Sequence, residues 1–338
     1  MRFEFKRVKL GFAPTRKFVF SREDALKFKK IIEDKLRSWD IELVTLDSIN
    51  KEGLLLTDTD VKKAKALFQK EDVAAIFAPH CNFGTEEAVA RLGYLLKKPL
   101  LLWGPRDGYP LPDGTRLRDT QCGLFATSKM LQRYGVPFTY IVNSSPDDEV
   151  FARGVRNFVA AAGVVRDFKN ARIGQIGVRP APFYNVMVNE AELLEKFNIE
   201  LEVYDMAGFI SKVRKRTASG GARELAEEFK SKVHFDDITD EQVRILAAIK
   251  LEISDWAEEK GISAVAIECW ISIIDEFKIM VCFPMSLLTD EGLPVVCESD
   301  IHGAISSLLA RSAAMGKTPP FFPDLTIRHP ENDNAELL

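Results

Sequence analysis

Two acidic residues follow apolar segments that are typical of buried strands. Glu268 comes directly after residues 264–267, and Asp300 follows the segment Leu293–Cys297. A carboxylate at the end of a buried segment is costly to desolvate unless a cation or hydrogen-bond donors compensate its charge. Two such carboxylates at one edge of a sheet repel each other and favour a shared cation. Because these ligands are oxygens, the pattern favours Mn²⁺, with Mg²⁺ as the alternative, over zinc.

Both residues also have a structural interpretation. Glu268 could cap a helix or lie at an exposed strand end, and Asp300 is well placed to be the N-cap of the helix that follows it. If the strand instead continues past residue 297, Glu298, Asp300 and His302 alternate onto one face. His302 is then a candidate third ligand, although a lone histidine is more often structural. We treat Glu268 and Asp300 as the candidate catalytic and metal-binding pair.

Loops that follow other predicted strands carry side chains suited to a small polar ligand. Arg16, Asn82 and Arg179 could bind hydroxyls or a phosphate, with ordinary loop solvation as the alternative. Trp270 could line a sugar, because an aromatic face packs well against a C–H-rich ring. We predict these four as substrate-binding residues. The sequence contains no glycine-rich dinucleotide fingerprint. A Ser/His/Asp triad can be assembled from it only by an arbitrary choice of residues.

The elements that must position these residues alternate along the whole chain. In the first half, strands are predicted at Val8–Phe12, Glu42–Leu46, Val73–Ala78, Pro99–Trp103 and Phe138–Asn143. A long helix over Asp147–Asp167 closes this series, and the polar segment 168–170 follows it. The pattern restarts with strands at Arg172–Ile176, Glu200–Tyr204, Ala264–Glu268 and Leu293–Cys297.

Two successive βαβ series predict an α/β protein with two doubly wound, Rossmann-like parallel-sheet domains in tandem. We place the domains at residues 1–168 and 169–338. Ligands of such sheets bind beyond the carboxyl ends of the strands. The candidate residues follow predicted strands, so they belong at these two edges.

Composition excludes several classes of partner. The 338 residues are 46% hydrophobic and 28% charged, with a net charge of −4, which leaves no electrostatic footprint for nucleic acid or an anionic membrane. No segment approaches the ~18 consecutive apolar residues of a membrane span, and the N-terminus lacks the apolar region of a secretory signal. We predict a cytoplasmic protein that acts on a small molecule.

The five cysteines support the same compartment. They are scattered along the chain with no C-x-x-C pair and no disulfide framework, as expected in a reducing cytosol. We interpret Cys269 and Cys297 as buried strand residues, because no neighbour in the sequence would favour a thiolate.

The segments around the candidate pair resemble the L-fucose isomerase family and, more distantly, L-arabinose isomerase. The similarity is most specific over Glu298–Gly303 and extends to residues 266–270, 79–86 and 102–104. The resemblance implies aldose–ketose isomerisation with Mn²⁺. In that family, residues matching Glu268 and Asp300 bind the metal and move a proton between C1 and C2 through an ene-diol. Arg16 falls where the family contacts substrate from a neighbouring subunit, in homo-oligomers that are trimers or hexamers.

The family extends into a C-terminal domain that supplies a third ligand, a histidine. This sequence stops at Leu338, so we expect a ligand set without that histidine and an impaired activity. A position where the family presents a sugar-stacking ring is Cys81 here. The first hypothesis is therefore an isomerase of the fucose/arabinose type. The alternatives are a non-catalytic sugar-binding or regulatory module on the same fold, and a metal-dependent lyase or epimerase that uses the same ene-diol.

Overall fold

The computed structural model describes residues 3–324 and 327–332, and the backbone of 336–337. The chain divides into two compact units, one of residues Lys6–Gly163 and one of Val164–Leu338 together with Met1–Phe5. Within the described residues, no helix is long and apolar enough to cross a membrane.

The first unit is a parallel sheet with helices between its strands. Its strands are β1 (Lys9–Phe12), β2 (Glu42–Val44), β3 (Ala75–Pro79), β4 (Leu100–Trp103) and β5 (Thr139–Tyr140), in the order β2-β1-β3-β4-β5. Its helices are α1 (Arg22–Ser38), α2 (Asp58–Lys70), α3 (Glu86–Leu96), α4 (Thr120–Arg133) and α5 (Glu149–Phe168), the last of which extends past Gly163.

The second unit repeats this architecture. Its parallel strands are β6 (Arg172–Ile176), β7 (Glu200–Tyr204), β8 (Ala264–Ile267) and β9 (Val295–Val296), in the order β7-β6-β8-β9. Its helices are α6 (Glu190–Phe197), α7 (Met206–Thr217), α8 (Gly220–Lys232), α9 (Asp240–Lys260), α10 (Ser272–Phe277), α11 (Cys282–Asp290) and α12 (Ile301–Ala313), with a 3-10 turn at Tyr184–Val186. The short strands β10 (Ile327–Arg328) and β11 (Glu336–Leu337) pair antiparallel.

The strands form where the chain is continuously apolar. Every residue of β3, β4 and β8 is buried, as expected for parallel strands that helices cover on both faces. In the second unit, one face of the sheet packs on α9 through Ile176, Val265 and Ile267, and the other packs on α12 through Ala264 and Ala266. The predicted α/β class, with two doubly wound parallel sheets, is confirmed.

The loop after β3 lies against α4 with no space for a side chain between them. A Cβ added to Gly123 in α4 would lie 1.7 Å from the carbonyl oxygen of Phe83. Helix and loop therefore approach each other closely only because residue 123 is glycine.

We expect Gly123→Ala to destabilise the first unit by about 1–3 kcal/mol, because the helix or the loop must shift to admit the methyl group. Gly108→Ala in the same unit is the control, since its Cβ would meet only the end of the Arg118 side chain at 3.7 Å. Urea unfolding of both variants measures the difference. Equal midpoints for the two variants would show that the loop yields without cost.

Candidate active site

Glu268 lies directly after β8, at the carboxyl edge of the second sheet. It is 5% exposed, and its backbone N–H donates to the Ile176 carbonyl at 2.9 Å, which continues the pairing with β6. Its Oε1 accepts from the backbone N–H and the hydroxyl of Ser272, at 3.2 and 2.9 Å. Both donors are neutral. Within the described residues no salt bridge reaches this carboxylate, so its charge is buried without an opposite charge beside it.

Space next to this carboxylate depends on Gly177, which follows β6. Gly177 has a φ of +74°, and a Cβ there would lie 2.9 Å from Glu268 Oε2. The side chain of Gln175 reaches the same loop, since its Nε2 donates to the Gly177 carbonyl at 3.1 Å. Its Oε1 is buried and finds no hydrogen-bond donor within the described residues. This edge therefore presents a buried carboxylate and a buried amide oxygen that a cation or a ligand hydroxyl could satisfy.

Asp300 is brought to the neighbouring strand end by an unusual loop. Strand β9 ends at Val296, and Glu298 and Ser299 both take left-handed backbone conformations, with φ of 64° and 54°. The Ser299 N–H donates to the Ile267 carbonyl at 3.1 Å, which holds this loop against the end of β8. Glu268 and Asp300 therefore follow adjacent strands at one edge of the sheet, as predicted.

Asp300 is also the N-cap of α12. Its Oδ1 accepts from the Gly303 N–H at 2.9 Å, so the capping role considered from the sequence is real. The alternative in which the strand continues and places Glu298, Asp300 and His302 on one face is wrong, because two left-handed residues end the extended backbone first. His302 lies exposed in the first turn of α12.

Negative charge accumulates around this loop. Burial raises the pKa of Glu298, and the nearby charges of Asp324 and Asp300 raise it further. Acidic residues at one edge of a sheet are suited to a hard divalent cation. Within the described residues, however, no group of three or more His, Cys, Asp or Glu side chains is arranged to hold a metal ion.

Aromatic side chains cover the same edge. Trp270, 45% exposed, packs edge-to-face against Phe183 with ring centroids 5.5 Å apart, so the loops after β6 and β8 touch. The Arg179 guanidinium lies 5.2 Å from the Tyr184 ring centroid, and its Nη1 donates to the carbonyls of Pro180 and Ala181. Arg179 and Trp270 thus lie in the unit that carries Glu268 and Asp300. Phe183 is not among the four predicted substrate-binding residues, although residues 179–183 follow a predicted strand and so lie where ligands of such sheets bind.

Arg16 and Asn82 lie in the first unit, where both are engaged by neighbouring loops. Arg16 forms a two-point ion pair with Glu52, at 2.8 and 3.2 Å, and this hydrogen-bonded pairing lowers the pKa of Glu52. Asn82 is fully buried. Its Oδ1 accepts from the Lys17 N–H at 2.8 Å, and its Nδ2 donates to the carbonyls of Lys17 and Ser21, each at 3.2 Å. These contacts fasten the loop after β3 to the loop after β1.

Cysteines that are distant in sequence are neighbours in the second unit. The thiols of Cys269 and Cys282 raise the pKa of Cys297, and burial raises it further. The interpretation that Cys269 and Cys297 have no neighbour able to affect their thiols is therefore wrong. The sheet order places the ends of β8 and β9 side by side, and α11 adds the third thiol.

Proteins of similar sequence are sugar isomerases. Residues 11–169 match the N-terminal domain of the fucose/sulfoquinovose isomerases. Sulfoquinovose isomerases of Priestia aryabhattai and Alkalicoccus urumqiensis are 24% and 25% identical to this chain over 238 and 237 residues, covering 70% of it. The chain is therefore similar in sequence to the fucose/sulfoquinovose isomerases over part of its length. The predicted resemblance to the L-fucose isomerase family is thereby confirmed.

These relatives are longer than the chain. The matches cover 52% of each of the two isomerases, so the chain spans about half the length of the curated relatives it matches. Among solved structures, a periplasmic solute-binding protein of Actinobacillus succinogenes with bound D-allose is 10% identical and covers 94% of this chain and 96% of its own, with a TM-score of 0.21.

We expect Gly177→Ala to destabilise the second unit more than Gly261→Ala does. Both glycines have positive φ, 74° and 66°, so both substitutions incur the left-handed strain of about 1–2 kcal/mol. Only the Cβ at residue 177 meets Glu268, because Gly261 has no atom within 4 Å of its added Cβ. The Cβ at residue 177 would also lie 2.8 Å from the Met206 Cε, so the difference between the two unfolding free energies measures the crowding by Glu268 and Met206 together. Equal losses would show that both side chains move aside freely.

Proposed function

We propose that this chain catalyses aldose–ketose isomerisation, with Glu268 and Asp300 as the catalytic pair and as ligands of a divalent metal ion. The observation that carries the proposal is the buried Glu268 carboxylate, which lies next to the Asp300 loop and has no opposite charge beside it within the described residues. The relationship to sugar isomerases supports the reaction class.

Glu268 is suited to carry a proton between adjacent carbons. Ser272 donates to Oε1 from both its backbone and its hydroxyl, which fixes the orientation of the carboxylate. Oε2 faces the side that Gly177 leaves free of a side chain. A carboxylate held in this way can remove the proton from C2 of an aldose and return it to C1, through the ene-diol.

The residues present fit a hard cation such as Mn²⁺, or Mg²⁺ in its place. Glu268 and Asp300 supply carboxylate oxygens, and Gln175 Oε1 is a buried acceptor in need of a partner. Asp300 commits Oδ1 to the cap of α12, which leaves Oδ2 for a ligand. A bound ion would polarise the oxygens on C1 and C2 of the sugar and so acidify the carbon-bound proton.

The surrounding side chains suit a sugar that carries negative charge. Trp270 and Phe183 form an aromatic wall for the C–H face of a ring. Arg179 adds a guanidinium in the loop after β6, and its Nε and Nη2 donate to no group within the described part of the chain. We therefore propose sulfoquinovose, which the relatives' names specify, ahead of L-fucose and L-arabinose. Arg16 and Asn82 stay predictions for substrate binding from the first unit, as does assembly into trimers or hexamers.

Hydrogen exchange at C2 tests this proposal directly. The full chain, supplied with Mn²⁺, is incubated in D₂O with sulfoquinovose, L-fucose or L-arabinose, and NMR follows loss of the C2 proton and formation of ketose. We expect exchange with at least one aldose, and a loss of roughly 10²–10⁴-fold in Glu268→Gln because the proton carrier is removed. Glu195→Gln, an exposed substitution on α6, is the matched control.

Substitutions at Asp300 separate helix capping from chemistry. Asparagine caps helices about as well as aspartate, so Asp300→Asn should keep the wild-type thermal midpoint and lose activity. Asp300→Ala should lose both the activity and about 1 kcal/mol of stability. An active Asp300→Asn variant would show that Asp300 serves only as the N-cap of α12. Sugar binding by calorimetry without exchange in any aldose would instead indicate the non-catalytic sugar-binding module.

A further inference from the structure

Ser272 offers the Glu268 carboxylate two kinds of hydrogen-bonding group. Its backbone N–H donates to Oε1 at 3.2 Å, and its hydroxyl lies 2.9 Å from Oε1 and 3.1 Å from Oε2. Because a hydroxyl has one proton, it donates to one carboxylate oxygen at a time and stays within reach of the other. Within the part of the chain that the structure describes, no other group donates to this carboxylate.

The Ser272 hydroxyl does not cap α10. Serine is a preferred N-cap residue, yet the N-cap of α10 is Ile271, whose side chain makes no capping bond. Ser272 is instead the first residue of the helix. Its hydroxyl therefore bonds Glu268 at a position where the helix makes no use of it.

The residue before Ser272 has a strained backbone. Ile271 has a φ of 34°, in a region that β-branched residues rarely enter. Its side chain is 54% exposed, so burial of that side chain does not offset the strain. The turn at Ile271 brings Ser272 back onto Glu268, four residues earlier in the chain. Strained residues persist where the surrounding structure holds them, and they cluster at functional sites.

We propose that Ser272 is a positioning residue, which keeps Glu268 oriented in both of its protonation states during isomerisation and holds the carried proton away from water. This role rests on the proposed function, because it concerns the proton that Glu268 transfers. Ser272 contacts the base and acts on the sugar only through it.

The transfer changes the hydrogen-bonding capacity of Glu268. When the carboxylate takes the C2 proton, the C–H electron pair enters the C1–C2 double bond and the negative charge passes to O1. A proton then moves from O2 to O1, Glu268 returns its own proton to C1, and the C2 carbonyl forms. Between the two transfers the side chain is a neutral acid, with an O–H group that donates where the carboxylate accepted.

A hydroxyl can bond both states of the acid, whereas a backbone N–H can bond only an acceptor. The Ser272 hydroxyl donates to the carboxylate, and its lone pairs accept from the O–H of the protonated form. The backbone N–H is committed to Oε1, so Oε2 is the oxygen that takes the proton, on the side where Gly177 has no side chain. Glu268 is 5% exposed, which limits the access of water to a proton held there.

Deuterium at C2 of the sugar tests this role. The full chain with Mn²⁺ is supplied in H₂O with C2-deuterated sulfoquinovose, L-fucose or L-arabinose, and NMR measures the fraction of deuterium that reaches C1 of the ketose. We expect part of it to reach C1 in the wild-type chain. Ser272→Ala should lower that fraction several-fold and lower kcat by roughly 10–100-fold, the effect of losing one hydrogen bond to a charged group. KM should not change, because Ser272 does not bind the sugar.

Two further variants separate positioning from stability. Ser272→Thr keeps a hydroxyl and should restore both the deuterium fraction and kcat. Ser219→Ala removes a serine hydroxyl that caps α8 in the same unit. It should lower the thermal midpoint and leave the deuterium fraction unchanged. Thermal midpoints of all three variants verify that each is folded.

Loss of this role and loss of the isomerase activity give different results. If Ser272→Ala keeps the wild-type deuterium fraction and kcat, Ser272 is not a positioning residue, although the isomerase proposal stands. The same conclusion follows if the wild-type chain forms ketose but releases all of the deuterium to water. A wild-type chain that converts none of the three aldoses overturns both proposals.

Discussion

The second unit is organised around a negative charge that the sheet buries at its edge. Apolar strand β8 delivers Glu268 to a position that is almost inaccessible to water, where the only hydrogen-bond donors described are those of Ser272. Desolvating a carboxylate is costly, and neutral donors compensate that cost only in part. Three features surround this carboxylate: the glycine at residue 177, the nearby Asp300 loop and the buried amide oxygen of Gln175. Together they suit a carboxylate that binds a positively charged ligand.

The loop between β9 and α12 combines two roles in one short segment. Its two left-handed residues, Glu298 and Ser299, are neither glycine nor asparagine, so their conformation has an energetic cost that the surrounding contacts must offset. The Ser299 bond to β8 and the Asp300 cap of α12 provide such contacts. Because capping uses one carboxylate oxygen, the same aspartate can begin a helix and still present an oxygen to a ligand. Structural and chemical roles at this residue are therefore compatible, rather than competing explanations.

Polar residues at the two sheet edges differ in how many of their hydrogen-bonding groups remain available for a ligand. In the first unit, the Asn82 amide bonds backbone groups of the loops after β1 and β3, and Arg16 pairs with Glu52, so both already stabilise the loops that contain them. In the second unit, Trp270 is half-exposed, and Arg179 Nε and Nη2 donate to no partner among the residues that the structure describes. The loop residues of the second unit therefore have more hydrogen-bonding groups available to contact a sugar. Arg16 or Asn82 could contact a sugar only while also bonded to their present partners.

The sequence determined the two sheets, because its apolar segments alternate with helices. Strands that are buried on both faces in this way form parallel sheets covered by helices. The same reasoning placed Glu268 and Asp300 at one edge, since carboxyl ends of parallel strands lie side by side. The strand end at Val296 could not be predicted, because no residue type there signals a left-handed backbone. Nor could the contact of Phe183 with Trp270, or the effect of Cys269 and Cys282 on the pKa of Cys297. These contacts join loops far apart in the chain, and only the order of the strands and the path of each loop decide which of them meet.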